Sequence, residues 1–411
     1  MLGWRRRHEV EIRMRTLLLI TLLVTVTASA GASERVTVDQ LEQRLPSILA
    51  APRTASGFDS ETQAELLQDL NDAVGKFGRD ADQAAQVDSL ELTERLTADT
   101  LARLVAKNKP GPDVRHALEK LADRSALLDP PAAELPGEPA PDADSQRKMV
   151  DAAGQYVLRV LSHLPNFFAI RTTERFDDSP VTVNGMVMGY PVSTRYVGGE
   201  SREITFRDGS EVMDPMKQER PEAGVPDAGL ASSGEFGPEA AIVLADVAKG
   251  TIAFHHWEQT LAGLAAVFRY TVPKQASNYQ VNYGCGSRLT FHDKPGYHGS
   301  LAIIPTSGAI LRLTLEADSK KGDPISHIAS VIEYGPVVVG GRRFIYPVRS
   351  LAFMVNDAYA CVRHAPRERL MRPVTMVNRT SFSDYHRLGS TATIVSDVTA
   401  APDSAPSAAH P

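Results

Sequence analysis

Leu264-Ala265-Ala266-Val267-Phe268-Arg269-Tyr270-Thr271-Val272 reads in alternate steps, with Leu264, Ala266, Phe268, Tyr270 and Val272 on one face of an extended chain. Successive side chains on a strand point to opposite faces, so a period of two marks a strand with one buried side. The rhythm returns at Leu311, Leu313 and Leu315, with Arg312, Thr314 and Glu316 opposite. Turn dipeptides stand between such runs: Asn184-Gly185, Asp208-Gly209, Ser307-Gly308 and Gly340-Gly341. Asn-Gly and Gly-Gly accept the positive φ angles of tight hairpins. One helical run interrupts them, Pro238 to Ala248, ending at Gly250. Hairpins with so little helix between them predict an antiparallel sheet, not βαβ units.

Upstream the period is near 3.6. Leu41, Leu45, Ile48 and Leu49 recur at helix spacing, as do Leu66, Leu70, Val74 and Phe77. Leu92, Leu96, Leu101, Leu104 and Val105 follow, then Val114, Leu118 and Leu121. Asp39, Asp59, Thr97 and Pro112-Asp113 supply the start signals. Residues 36–128 therefore read as a small bundle of four amphipathic helices. With Asp129 they hold 17 acidic against 11 basic residues, the whole net charge of −6, which reads as a solvated surface.

Asp129-Pro130-Pro131 through Glu138-Pro139-Ala140-Pro141 is dense in proline and alanine, the composition of a semi-rigid spacer. It sets a Pro-rich linker over 129–145, between parts expected to fold independently. A further amphipathic helix, carried by Val150, Ala153, Val157, Val160, Leu161 and Leu164, opens the β domain of residues 146–398. A Pro/Ala/Ser-rich tail, 399–411, is expected to be disordered. The fold class is α+β: an N-terminal helical bundle, then a curved, half-barrel-like antiparallel sheet with a packed helix. Two helices beyond Pro141 are too few to cover about eight or more strands, so the sheet is expected to curl. Leu264, Phe268, Tyr270, Leu311, Leu313 and Leu315 are the candidates for its inner face, where an apolar ligand would lie.

The chain starts with Arg5, Arg6, Arg7, Arg13 and Arg15, then an apolar run from Leu17 to Val26, then Ala28-Ser29-Ala30 and Ala30-Gly31-Ala32. Basic, apolar and small-residue segments in that order read as a cleavable signal peptide over 1–32. The apolar run is shorter than the ~20 residues a membrane-spanning helix needs. The expectation is a periplasmic or secreted protein with no membrane span in its mature part. Hydrophobic residues at 43% with 23% charged suit a folded protein. A pI near 6.0 without a basic stripe excludes nucleic acid as a partner. Cys285 and Cys361 are the only cysteines, and in an oxidising compartment they are expected to pair.

Tyr297-His298-Gly299-Ser300-Leu301-Ala302-Ile303-Ile304-Pro305, with Thr306 to Arg312, and Ser381-Phe382-Ser383-Asp384-Tyr385-His386-Arg387 resemble hairpins of lipoprotein-carrier-type exported proteins. That resemblance covers at most residues 146–395 and implies an incomplete β-barrel around a helix, binding an acyl chain, a lipoprotein tail or another apolar small molecule. With Leu164-Pro165-Asn166-Phe167-Phe168 and Ile332-Glu333-Tyr334-Gly335-Pro336, nearly the whole chain resembles a family of secreted bacterial proteins to which no activity is attached.

Candidate chemistry is sparse. In His255-His256-Trp257-Glu258 a regular strand sends neighbouring histidines to opposite faces, while His256 and Glu258 share one. His292 and His298 flank a Pro-Gly loop without an evident third metal ligand. Gly284-Cys285-Gly286-Ser287 lacks the Gly-x-Ser-x-Gly elbow. No phosphate loop or dinucleotide fingerprint occurs, and Asn378-Arg379-Thr380 reads as an incidental sequon. No catalytic residue, metal ligand or cofactor is assigned. The expected function is a non-enzymatic envelope protein that binds a lipid, a lipoprotein or another apolar ligand. The alternative is an envelope hydrolase or metalloenzyme using His256, His292, His298 or His386.

Overall fold

Thr37 opens the first helix with a reciprocal cap: its hydroxyl accepts from Gln40 N, and the Gln40 side chain accepts from Thr37 N. Asp39, the start signal in the sequence, lies inside that first turn. The computed structural model describes residues 33–51, 68–163, 166–183, 186–191, 193–207, 210–212, 230, 234–260, 262–285, 289–320, 323–356 and 372–388. The expected leader over 1–32, Asp59, Leu66, Cys361 and the tail from Ala400 lie outside them.

The N-terminal layer comprises β1 (Glu34–Val36), α1 (Val38–Ala50), α2 (Gln68–Asp88), β2 (Leu90–Leu92), α3 (Ala98–Asn108) and α4 (Pro112–Arg124). The four helices are those expected. Leu92 and Leu96 are the exceptions: Leu92 leaves the helical series for β2, which pairs in parallel with β1, and Leu96 lies just before α3. Leu41, Leu45, Leu104, Val114, Leu118 and Leu121 are buried in one core between these elements. Thr97 caps α3 by accepting from Thr100 N.

The next helix, α5 (Ala143–His163), begins well before Val150 because the Asp142 carboxylate accepts from Ser145 N and caps it. The strands follow as β3 (Phe167–Asp177), β4 (Val181–Val183), β5 (Met186–Gly189), β6 (Arg195–Arg207) and β7 (Ser210–Val212). After α6 (Pro238–Val247) come β8 (Thr251–Thr260), β9 (Gly263–Val272), β10 (Val281–Cys285), β11 (Leu289–Asp293), β12 (Tyr297–Ile303), β13 (Ile310–Ala317), β14 (Ile325–Val339), β15 (Arg342–Asn356) and β16 (Val374–Arg387).

Ten strands form one sheet in the order β7-β6-β3-β16-β15-β14-β13-β12-β9-β8. All its pairs are antiparallel, and the sheet stays open, with β7 and β8 as edges. The fold is α+β, as expected. Gly340 and Gly341, at φ 58° and 79°, turn β14 into β15. Val183 pairs with Met186 and Arg207 with Ser210, while the turn dipeptides between them, Asn184-Gly185 and Asp208-Gly209, lie outside the described residues. Bulges in β6, β8, β13, β14, β15 and β16 locally bend the strands.

Both faces of the sheet are covered. On one, α5 and α6 pack on Phe268, Tyr270, Leu301, Leu313, Leu315 and Ile332. The turn at Gly308 (φ 75°) lies so close to α5 that a Cβ there would fall 2.3 Å from the Ala152 carbonyl. Farther along, Phe167, Phe206, Phe236, Tyr346, Phe382 and Tyr385 form an aromatic cluster. The other face takes Ala126 and Leu127 against Val331, Leu351, Phe353 and Val377. Helices after Pro141 cover only one face, and the N-terminal layer covers part of the other.

The segment 129–141 correspondingly lies on the sheet instead of bridging a gap. Pro130 and Pro131 are buried, the Pro139 carbonyl accepts from Trp257 Nε1 at 2.8 Å, and Glu134 accepts from the Thr97 and Thr100 hydroxyls. Among the described residues no helix is long and apolar enough to cross a membrane.

Candidate ligand cleft

The expected inner-face residues separate into three environments. Phe268, Tyr270, Leu313 and Leu315 are at most 2% exposed, in the core beneath α5 and α6. Leu311 belongs to another cluster, with Ala265, Val267 and Ala302. The bulge that pairs Ile303 with Ile310 but Ala302 with Arg312 leaves Leu311 as the extra residue, so strict alternation fails there. Leu264 is half-buried, near the β8–β9 turn. The cleft beside α5 and α6, lined by Tyr156, Val157, Phe236 and Tyr334, measures about 30 Å³, room for about one water molecule.

A larger cleft, about 460 Å³, opens on the opposite face between the sheet and residues 127–130. It lies within the range of small-molecule pockets, roughly 300–1,000 Å³. Register lays out its floor: His256 pairs with Val267, Val267 with Ala302, Ala302 with Arg312 and Arg312 with Glu333. In parallel rows stand Arg269, Ser300 and Thr314, then Thr271, His298 and Glu316. Arg95, Leu127, Leu128, Asp129 and Pro130 supply the wall from the N-terminal layer. The Arg312-Thr314-Glu316 face seen in the sequence thus faces the cleft, and His256 and Glu258 share a side as expected.

Two of its three guanidiniums are paired. Arg95 donates to Glu258 Oε1 at 2.5 Å, and Arg269 donates to Asp129 Oδ2. Burial would raise the Glu258 carboxyl, but the His256 ring and Arg95 hold it down to about 2, so it stays ionised. Arg312 differs. Its side chain is 12% exposed, its terminal nitrogen donates to the uncharged Ala126 carbonyl, and its Nε has no hydrogen-bond partner. Among the described residues the one carboxylate within 4.0 Å is Glu333, at 3.9 Å, already engaged by Arg349 at 3.3 Å. Burial, with Arg95 alongside, pushes the Arg312 guanidinium down to about 9, still charged at neutral pH.

The histidines divide as well. The β8 bulge between Phe254 and His256 makes His255 an extra residue, and the two rings stand 4.9 Å apart. This corrects the expectation that neighbouring histidines diverge. Both approach Asp129: its carboxylate oxygen and the nearest ring nitrogens all lie within 4.8 Å of one another. His298 lines the same cleft but sits between Glu316 at 3.2 Å and Asp318 at 3.3 Å. His292 pairs with Asn282 at 2.6 Å, and His386 packs on Phe168, so neither joins them.

Arg95 and Asp129 were not legible as site residues, because each reaches the sheet from a distant part of the chain. The expected Cys285–Cys361 pair falls on Cys361, outside the described residues. Comparison with protein-family models, curated proteins and solved structures finds no match.

Proposed function

We propose that this chain is an exported, non-enzymatic binding protein of the cell envelope, and that its ligand is a small anion held in the cleft between sheet and N-terminal layer. The observation that carries the reading is Arg312: a nearly buried cation lining a cleft of about 460 Å³, with a neutral carbonyl as its close partner, no hydrogen bond at Nε and its nearest carboxylate, Glu333, 3.9 Å away. An under-compensated buried charge is unfavourable, and a carboxylate or phosphate oxygen relieves it through a charge-assisted hydrogen bond. Thr314 and Ser300 hydroxyls, 2.9 Å apart on the floor, add polar groups beside it. The leader over 1–32 supports export. An apolar ligand on the other face would have to displace α5 and α6 from a filled core.

Calorimetric titration in EDTA-containing buffer tests this with citrate and glycerol phosphate as anionic probes, glycerol as the neutral control and a fluorescent fatty-acid analogue. The anions should bind, and Arg312→Gln should weaken them at least tenfold while circular dichroism stays unchanged. Equal affinity in that variant, or no anion binding, overturns the reading. Binding of the fatty-acid analogue alone would move the ligand to the apolar face.

A further inference from the structure

At the rim of that cleft, we propose that Asp129, His255 and His256 hold one zinc-class divalent ion. Three observations meet there. The β8 bulge turns two consecutive histidines toward the same carboxylate, a convergence that a regular strand forbids. The candidate ligand atoms lie within 4.8 Å of one another, against about 3.3 Å for neighbouring ligands around tetrahedral zinc. Rotation of exposed Asp129 and His255 closes the difference. Finally, His256 has a side chain only 10% exposed, and its Nε2 makes no hydrogen bond; Glu258 Oε2 is its ion-pair neighbour at 3.6 Å. A nearly buried imidazole without a hydrogen bond at that nitrogen calls for an explanation, and an ion bound to the ring is one.

The donor set selects the metal. Two imidazoles and one carboxylate suit zinc, cobalt or nickel, whereas calcium and magnesium require oxygen ligands. Three protein ligands leave a fourth position, which would face the cleft. Arg269 now occupies Asp129 Oδ2, but its side chain is 56% exposed and can turn to solvent when a dication arrives. His298 is a poorer ligand because acidic side chains flank both its ring nitrogens.

The inference stands apart from the anion reading, which is tested with EDTA present. The test uses untagged, EDTA-stripped full-length protein, titrated with zinc in a non-coordinating buffer and weighed by native mass spectrometry. One ion per chain is expected. His255→Asn and His256→Asn should each weaken binding at least tenfold, and His292→Asn and His298→Asn should leave it unchanged. Arg269→Gln should tighten binding by removing the competitor. Cobalt loading should give the visible absorption of a tetrahedral ion, lost in His256→Asn. Absence of stoichiometric binding, equal affinity in His256→Asn, or loss of binding in His298→Asn or in a Cys285→Ser, Cys361→Ser chain overturns the proposal. His255 is on the surface, so His255→Asn remains informative if the His256 variant misfolds.

Discussion

Arg95 and Glu258, separated by 163 positions in sequence, are joined by an ion pair of 2.5 Å that ties the N-terminal layer to the sheet. Their side chains are only 9% and 19% exposed, so each charge depends on the other. The pair is one of several across this interface: Asp123, 3% exposed, accepts from both Arg349 and Arg379, and Arg379 also reaches Glu174 at 3.2 Å. Removing one member of a buried pair strands the other, at a cost of about 3–5 kcal/mol.

Arg95→Met should therefore destabilise the protein by about 3–5 kcal/mol, and Arg95→Met with Glu258→Met should recover most of the loss. Urea denaturation of the two single variants and the double variant measures the coupling. Because these pairs span the boundary at residue 129, the N-terminal layer and the sheet should unfold in one transition when followed by circular dichroism and by Trp257 fluorescence. Two separated transitions would restore the independent folding that the proline-rich composition suggests.

That contrast shows where sequence reading reaches its limit. Strand rhythm in Leu264–Val272 and turn glycines at Gly340-Gly341 carry local physics, so the sheet was legible. Proline-rich composition reports stiffness, but it is silent about the surface on which Pro130 and Pro131 are buried. A bulge adds one residue without a compositional mark, so the convergence of His255 with His256 and the displacement of Leu311 from Leu313 could not be read. The partners Arg95 and Asp129 belong to long-range packing, which periodicity does not encode.

Glu239 makes stability pH-dependent. The residue lies at the start of α6 beneath the sheet, accepts from the Ser330 hydroxyl, and is 8% exposed. Burial raises its carboxyl from the ordinary 4.5 to about 7. An acid with a raised pKa in the folded state holds its proton more tightly there than when unfolded. Its contribution is therefore complete below pH 4.5 and lost as the pH rises through about 7. Other things equal, unfolding free energy should fall between pH 5 and 8 by up to about 3 kcal/mol, and Glu239→Gln should flatten that slope. An unchanged slope in the variant would assign the pH dependence elsewhere.

The expected export signal and the pair of cysteines predict one further constraint. Non-reducing peptide mapping of protein exported through its own leader should recover Cys285 linked to Cys361. Reduction should lower stability by about 4 kcal/mol on the chain-entropy account of a loop this long. Two thiols titrating per native chain would exclude the link.

A side chain from α2 starts α4. Gly111 occupies the N-cap of α4 without a side-chain acceptor of its own. Asp80, from α2, fills that role: its carboxylate accepts from Asp113 N at 2.8 Å and from Val114 N at 3.3 Å. The carboxylate lies where a Cβ at position 111 would go, 2.3 Å from Asp80 Cγ, so Gly111 is needed for the space it leaves. Asp80→Ala should cost about 1–2 kcal/mol as a lost cap. Gly111→Ala should cost at least as much, because it expels the carboxylate and leaves the same amides unpaired. In the double variant the clash and the carboxylate disappear together, so the two costs should fall short of their sum by about 1 kcal/mol or more. Thermal or urea denaturation of the four proteins gives that coupling, and additive losses would show that Gly111 and Asp80 act independently.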